Sequence, residues 1–182
     1  MEELEILRAS FVSFLDGLWW GLRDHTGPLS MYEGYANGFR QIGSEMAERI
    51  GGHGPEDAAK IAAQIMGSIG LKTETNGSDV IVSECPLWNR ILQKGLEFSF
   101  HVEEICWKPL LEGIGEKTGA RASCITSLRL NHIAKSKTDY KKGKAKKALE
   151  KGDISQEDFD QLIKRLDSDA TRIPTTGQYR FQ

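Results

Sequence analysis

Cysteine is scarce in this chain, with three in 182 residues, and no two of them form a Cys-x-x-Cys pair. An odd, widely spaced set (Cys85, Cys106 and Cys124) does not make a secreted disulfide framework and argues for reduced thiols. None of the four histidines has paired-ligand spacing, so the usual signature of a structural zinc site is missing. Long apolar runs are missing too: no uncharged stretch approaches the roughly 18 residues needed to span a bilayer. The opening MEELEILRASF has no basic segment ahead of an apolar one, so it does not read as a signal peptide. Net charge is small, since 24 Lys and Arg against 26 Asp and Glu leave −2, and gives no whole-protein case for nucleic acid or an acidic substrate. GGHGPED has glycines but neither a Gly-Lys-Ser/Thr element nor a preceding strand, which excludes a phosphate-binding loop. The expectation is a soluble, cytoplasmic chain without membrane insertion, whose 182 residues at 39% apolar content can bury one substantial core.

What is present begins with helical periodicity. Leu4, Leu7, Phe11, Phe14, Leu15, Leu18, Trp19 and Leu22 recur at helical spacing before the turn DHTGP. Neighbouring helical positions diverge by about 100°, so Trp19 and Trp20 cannot both face the core, and Trp20 becomes an interface anchor candidate. Ser30 to Glu33 reads as a capping box opening a second helix with Met31, Tyr35, Phe39, Ile42, Met46 and Ile50 on one face. Gly34 and Gly38 inside it predict close approach of another backbone. A third helix starts at Pro55 and stops at Gly70.

The period then changes. Leu71–Thr75, Asn76-Gly77 and Asp79–Glu84 read as a hairpin, followed by a short helix after Pro86. A further helical segment from Ser99 to Lys117 restarts at Pro109, and a strand is predicted over Ala120–Leu130. The fold class is therefore α+β: a helical N-terminal layer on a small antiparallel sheet with crossing helices, plus a C-terminal helical appendage. The expected division is a body over 1–132, a basic linker and helical module over 133–168, and an extended or disordered tail over 169–182. Truncation after Leu130 is expected to leave the body folded.

KSKTDYKKGKAKKALEKG, Lys135 to Gly152, is densely basic, and Tyr140 is its sole aromatic, so no platform for stacking bases is visible. Nucleic acid is accordingly not the expected partner; a solvated helix, or one facing an acidic partner, fits better. Behind it, Ser155 and Asp158 with an Ile154–Phe159 staple open a helix with the apolar stripe Phe159, Leu162, Ile163 and Leu166. GDISQEDF resembles the core of the short C-terminal helical (SHOCT-like) module, and the resemblance implies oligomer or partner contacts. Lys141, Lys142, Lys144, Lys146 and Lys147 with Phe159, Leu162, Ile163 and Leu166 are the partner-binding candidates, for a homo-oligomer or a larger protein complex.

The thiols carry the candidate site. Cys85 is placed at a strand end where Pro86 opens a helix, and helix-terminal amides there would favour thiolate. Cys106 falls on a helical face and Cys124 mid-strand. Buried free cysteine also behaves as a small hydrophobe, so plain packing stands beside a shared site. The convergent reading gives a ligand pocket of Cys85, Trp88, Cys106, Trp107 and Cys124, or a metal site of Cys85, Cys106 and Cys124. The occupant would be a hydrophobic small molecule, a metal ion or an iron–sulfur cluster. His101 lies five residues before Cys106 and points a different way on a helix, so it makes a poor activating partner.

The order strand, Cys85-Pro86, short helix, Cys106, then Gly119 through Cys124 resembles two α+β families. One is the 4-vinyl-reductase-type, or hydrocarbon-binding, domain; the other is the L-2-amino-thiazoline-4-carboxylic acid hydrolase-like family. The resemblance spans Leu71 to Leu130 and implies small-molecule binding in the first case and hydrolysis in the second. The aspartate and arginine-threonine elements associated with the hydrolase-like pattern are not found here. The leading expectation is a binding and regulatory protein with a cysteine-lined pocket. Two alternatives stand beside it: a hydrolase with Cys85 as the catalytic nucleophile, and an interaction subunit whose cysteines only pack.

Overall fold

The computed structural model describes residues 2–182, which divide into two units: 2–129 with 176–182, and 130–175. The first unit opens with α1 (Glu3–Thr26), α2 (Pro28–Ile50) and α3 (Gly54–Ser68). Next come β1 (Lys72–Asn76), β2 (Asp79–Glu84) and α4 (Pro86–Gln93). A π-helical turn (Glu103–Trp107) runs directly into α5 (Lys108–Thr118), followed by β3 (Ala122–Thr126). After α6 (Leu128–Lys151) and α7 (Gln156–Thr171), β4 (Gly177–Phe181) completes an antiparallel sheet in the order β1-β2-β4-β3. This is the α+β class read from the sequence.

Local chemistry accounts for most element ends. The hairpin forms one residue later than expected: Asn76 pairs with Asp79, and Gly77 opens the two-residue loop at φ 58°, the sign a type II′ loop asks of its first residue. Gly119, at φ 74°, ends α5 in the left-handed conformation. At the α1–α2 joint the capping box expected at Ser30 does not form. Gly27 alone separates the helices at φ 82°, and Pro28, which has no N–H to satisfy, enters the first turn of α2. Ser30 thus lies inside the helix.

The sheet turns Val80, Val82, Tyr179 and Phe181 inward, and α3 and α5 pack on it. Its other face carries Asp79, which accepts hydrogen bonds from Arg180 (2.6 and 2.9 Å) and Gln178 (2.8 Å). The Arg180 bonds, aided by Gln178 and the Arg180 charge, hold the Asp79 carboxyl below its usual value against the opposing effect of burial. The central helix crossing is α2 on α5. A side-chain carbon on Gly43 would collide with the Leu110 carbonyl, and one on Gly113 with the Arg40 carbonyl. The backbone approach assigned to Gly34 and Gly38 therefore occurs at Gly43 and Gly113, while nothing stands within 4 Å of a side-chain carbon on Gly34 or Gly38.

Two expectations change at the C-terminal end. The strand over Ala120–Leu130 stops at Thr126, because Ser127 and Arg129 turn inward as α6 begins while Leu130 is exposed. Of the tail expected over 169–182 as extended or disordered, residues up to Thr171 belong to α7, and the extended alternative is taken by β4, seated between β2 and β3. Gly177, Tyr179 and Phe181 alternate inward, the period of a half-buried strand. The basic module is therefore inserted between two paired strands rather than hung from the end of the body.

The second unit holds the remainder of α6 and all of α7. Ser155 caps α7, accepting from the Asp158 N–H at 3.1 Å as its sequence predicts, and Lys142 pairs with Asp167 at 2.6 Å. Ala145 and Leu166 are its buried apolar side chains.

Candidate functional site

All three thiols sit on elements of the first unit. Cys85 is the N-cap of α4, and the Trp88 N–H donates to its Sγ at 3.2 Å. That bond and the nearby Leu87 amide favour thiolate, as the sequence suggested. Burial acts against them and wins, pushing the Cys85 thiol up to about 12. Cys106 lies in the π-helical turn, fully buried, and is raised well above its ordinary value by burial first, then by Cys85 and Glu103. Cys124 is paired across the sheet with Tyr179 and is raised to about 11, again chiefly by burial. These are neutral thiols near pH 7, not nucleophiles held as thiolate.

Part of the predicted pocket set comes together. Cys85, Trp88 and Trp107 border a hollow closed by Ser127, Arg129 and Tyr179, while Cys106 and Cys124 lie outside that lining. The hollow measures about 10 Å³, near the ~10–15 Å³ that admits a single water. An organic ligand does not fit there. Nor do Cys85, Cys106 and Cys124 make a metal or cluster site, because among the described residues no three His, Cys, Asp or Glu side chains gather closely enough to hold an ion. Trp107 instead packs edge-on against Phe39, ring centroids 5.5 Å apart.

Beside this hollow lies a group the sequence reading passed over. Glu103, 2% exposed, and Arg129, 7% exposed, form a buried ion pair. Arg129 Nε stands 2.8 Å from both carboxylate oxygens and Nη2 2.5 Å from Oε1, while Nη1 donates to the Glu97 carbonyl at 3.3 Å. Glu103 belongs to no sequence motif, and Arg129 falls in the stretch whose alternation reads as strand. The π-helical turn shifts the helical register at Glu103, and single-turn π segments frequently mark functional positions. His101 itself is exposed beside the Phe98 carbonyl.

A larger apolar concavity lies elsewhere. A groove of about 290 Å³ runs between α1 and α2, walled by Phe11, Phe14, Leu18, Gly34, Gly38 and Ile42. It exists because α1 has two adjoining apolar stripes. Leu15 and Trp19 turn inward, Trp19 packing on Tyr32, Tyr35 and Phe100. Leu4, Leu7 and Phe14 are left in solvent, Leu7 at 66% and Phe14 at 61% exposure. Gly34 and Gly38 form the floor where larger side chains would fill the space. Trp20 is partly exposed, with the Arg23 guanidinium 5.4 Å from its ring centroid.

In the second unit Lys141, Lys144, Lys146 and Lys147 are exposed, and the Lys144 amine lies 5.3 Å from the Tyr140 ring centroid. Lys142 is occupied by Asp167, whose hydrogen bond raises the amine's pKa. Of the apolar stripe, Leu162 is exposed, Phe159 and Ile163 are half-buried, and Leu166 is interior.

No protein-family model matches this chain, and no curated protein or solved structure matches it. The family resemblances rest on the quoted residues alone. Among the described residues no helix is long and apolar enough to cross a membrane.

Proposed function

We propose that this chain is a non-catalytic interaction protein that docks a partner through the α1/α2 face, with the exposed lysines of α6 as a separate electrostatic contact. One observation carries the reading: a two-helix face that leaves large apolar side chains and an apolar groove in water, the kind of patch that marks a binding surface on a folded protein. Support comes from the interior as well. The hollow beside Cys85 is the size of one water, and the thiols are neutral, so packing describes the cysteines better than ligation or nucleophilic attack.

The test uses a photo-crosslinking residue, p-benzoylphenylalanine, in place of Phe14 in the full chain inside its native cells, with the same residue at exposed Lys60 on α3 as control. The reading requires protein adducts at position 14 and not at position 60. Equal or absent labelling at position 14 overturns it.

A second reading has one observation in its favour. At about 290 Å³ the groove reaches the lower end of ligand cavities, ~300–1,000 Å³, so a small hydrophobic molecule is its other candidate occupant. Mass spectrometry of gently purified protein would show a bound apolar molecule that Gly38→Leu removes; its absence rejects that reading.

A further inference from the structure

The partner of the α1/α2 face, we infer, is a second copy of this chain, joined through an antiparallel α1–α1 pair about a two-fold axis. This rests on the interaction reading above and names its partner.

The first ground is pattern. Leu4, Leu7, Phe11, Phe14 and Leu18 follow one another at steps of three, four, three and four, the a/d spacing of a helix built to pair with another helix. Within its own chain α1 chiefly uses the adjoining Leu15 and Trp19 stripe, with Phe11 and Leu18 partly packed on the core, so Leu4, Leu7 and Phe14 are the seam positions the fold leaves unused. A two-fold interface must be self-complementary, each copy offering both ridge and hollow. Phe14 is the ridge and the groove over Gly34 and Gly38 is the hollow, both on one face of one chain.

The second ground is area. Taking about 150–250 Å² for a whole aromatic side chain, and somewhat less for an aliphatic one, the exposed parts of Leu4, Leu7, Phe14 and Ile42 with the half-buried Phe11, Leu18 and Leu22 amount to roughly 450 Å². A standard interface buries about 800 Å² per partner, of which roughly 65% is apolar in homodimers, or about 500 Å². The patch is the right size for one more copy.

Charge chooses the orientation. Glu2, Glu3 and Glu5 cluster at the start of α1, while its last turn sets Arg23 and His25 beside a single acid, Asp24. A parallel pair would set the acids against each other, which costs energy between like charges. The antiparallel pair centred between Val12 and Ser13 sets Leu7 against the second copy's Leu18, Phe11 against its Phe14, and Glu2 beside its Arg23.

Sedimentation equilibrium of the full chain is the experiment. The expected species has twice the 20.3 kDa of one chain. Phe14→Asp and, separately, Gly38→Leu should weaken self-association about thirtyfold or more, the scale of an interface hot spot. Both positions are open to solvent in the single chain, so circular dichroism should show the fold retained, and Lys60→Asp should leave the dimer unchanged. Under mild oxidation, mixed Leu7→Cys and Leu18→Cys chains should cross-link to one another more than either does to itself. A monomer throughout, a dimer indifferent to both groove variants, or preferential cross-linking of Leu7→Cys to itself overturns the inference. If the chain is monomeric while position 14 still captures a different protein in cells, the second copy is rejected and the interaction reading stands. No capture at all removes both.

Discussion

Cys85 illustrates how burial outweighs a favourable local bond. Its Sγ receives the Trp88 N–H, yet loss of water raises the thiol to about 12. The folded chain therefore keeps protons that an unfolded chain, with thiols near 9, gives up. Stability from this source is complete below pH 9 and declines as pH rises towards 12. Urea midpoints should fall between pH 9 and 11, and Cys85→Ala should flatten that fall; an unchanged slope would contradict the assignment. Native alkylation at pH 7.5 should modify half-buried Cys124 first, with Cys85 and Cys106 protected until unfolding. Arg129 carries a larger expectation. Arg129→Met strands a buried carboxylate at Glu103 and should cost about 3–5 kcal/mol in chemical denaturation, while replacing both partners by apolar residues should restore much of the loss. The sequence displayed the thiols but concealed this pair. Its members are 26 positions apart, and only the π-helical turn and the start of α6 bring them together.

At the scale of elements, local sequence signals mark α1 to α5, α7, the hairpin and the cap at Ser155, because each depends on neighbours in the chain. They give no means of ranking glycines. Gly34, Gly38 and Gly43 share a helix, but only Gly43 meets another backbone, and that depends on where α5 crosses. Gly113→Ala should therefore destabilise by roughly 1–3 kcal/mol as α2 and α5 are forced apart. Gly143→Ala, in α6 with nothing within 4 Å, should instead stabilise by about 0.5–1 kcal/mol through helix propensity. Thermal melts of the two variants moving in the same direction would refute this account of the crossing. The same limit explains α1: its eight apolar positions read as one stripe, and only packing separates the face the fold buries from the face it leaves open.

For the whole molecule, the decisive fact is that β4 follows the arm. Truncation after Leu130, which a body-plus-tail layout would survive, removes the strand between β2 and β3 together with Tyr179, Phe181 and the Arg180 partner of Asp79. Loss of cooperative unfolding is expected for that truncation. Replacing residues 130–175 by a short glycine-serine linker should preserve it, since β3 and β4 are antiparallel neighbours with Thr126 opposite Gln178, the arrangement a short loop can join. Equal behaviour of the two deletions would show that the strand is dispensable. Composition marks the basic stretch but carries no sign that the chain returns to the sheet after it. The polar–apolar alternation of GQYRF is only five residues long and makes sense only against its partners.

That return sets a timetable for synthesis. As the chain leaves the ribosome, β1 and β2 emerge as a hairpin whose inner row has an unpaired edge, and β3 emerges with nothing beside it. Both must wait until residues 130–175 have been made before β4 can close the gap. Pairing across so long a separation is slow, and an open strand edge invites strangers in the meantime. A nascent chain stalled just before Gly177 should accordingly be far more sensitive to protease and to chaperone capture than one released complete.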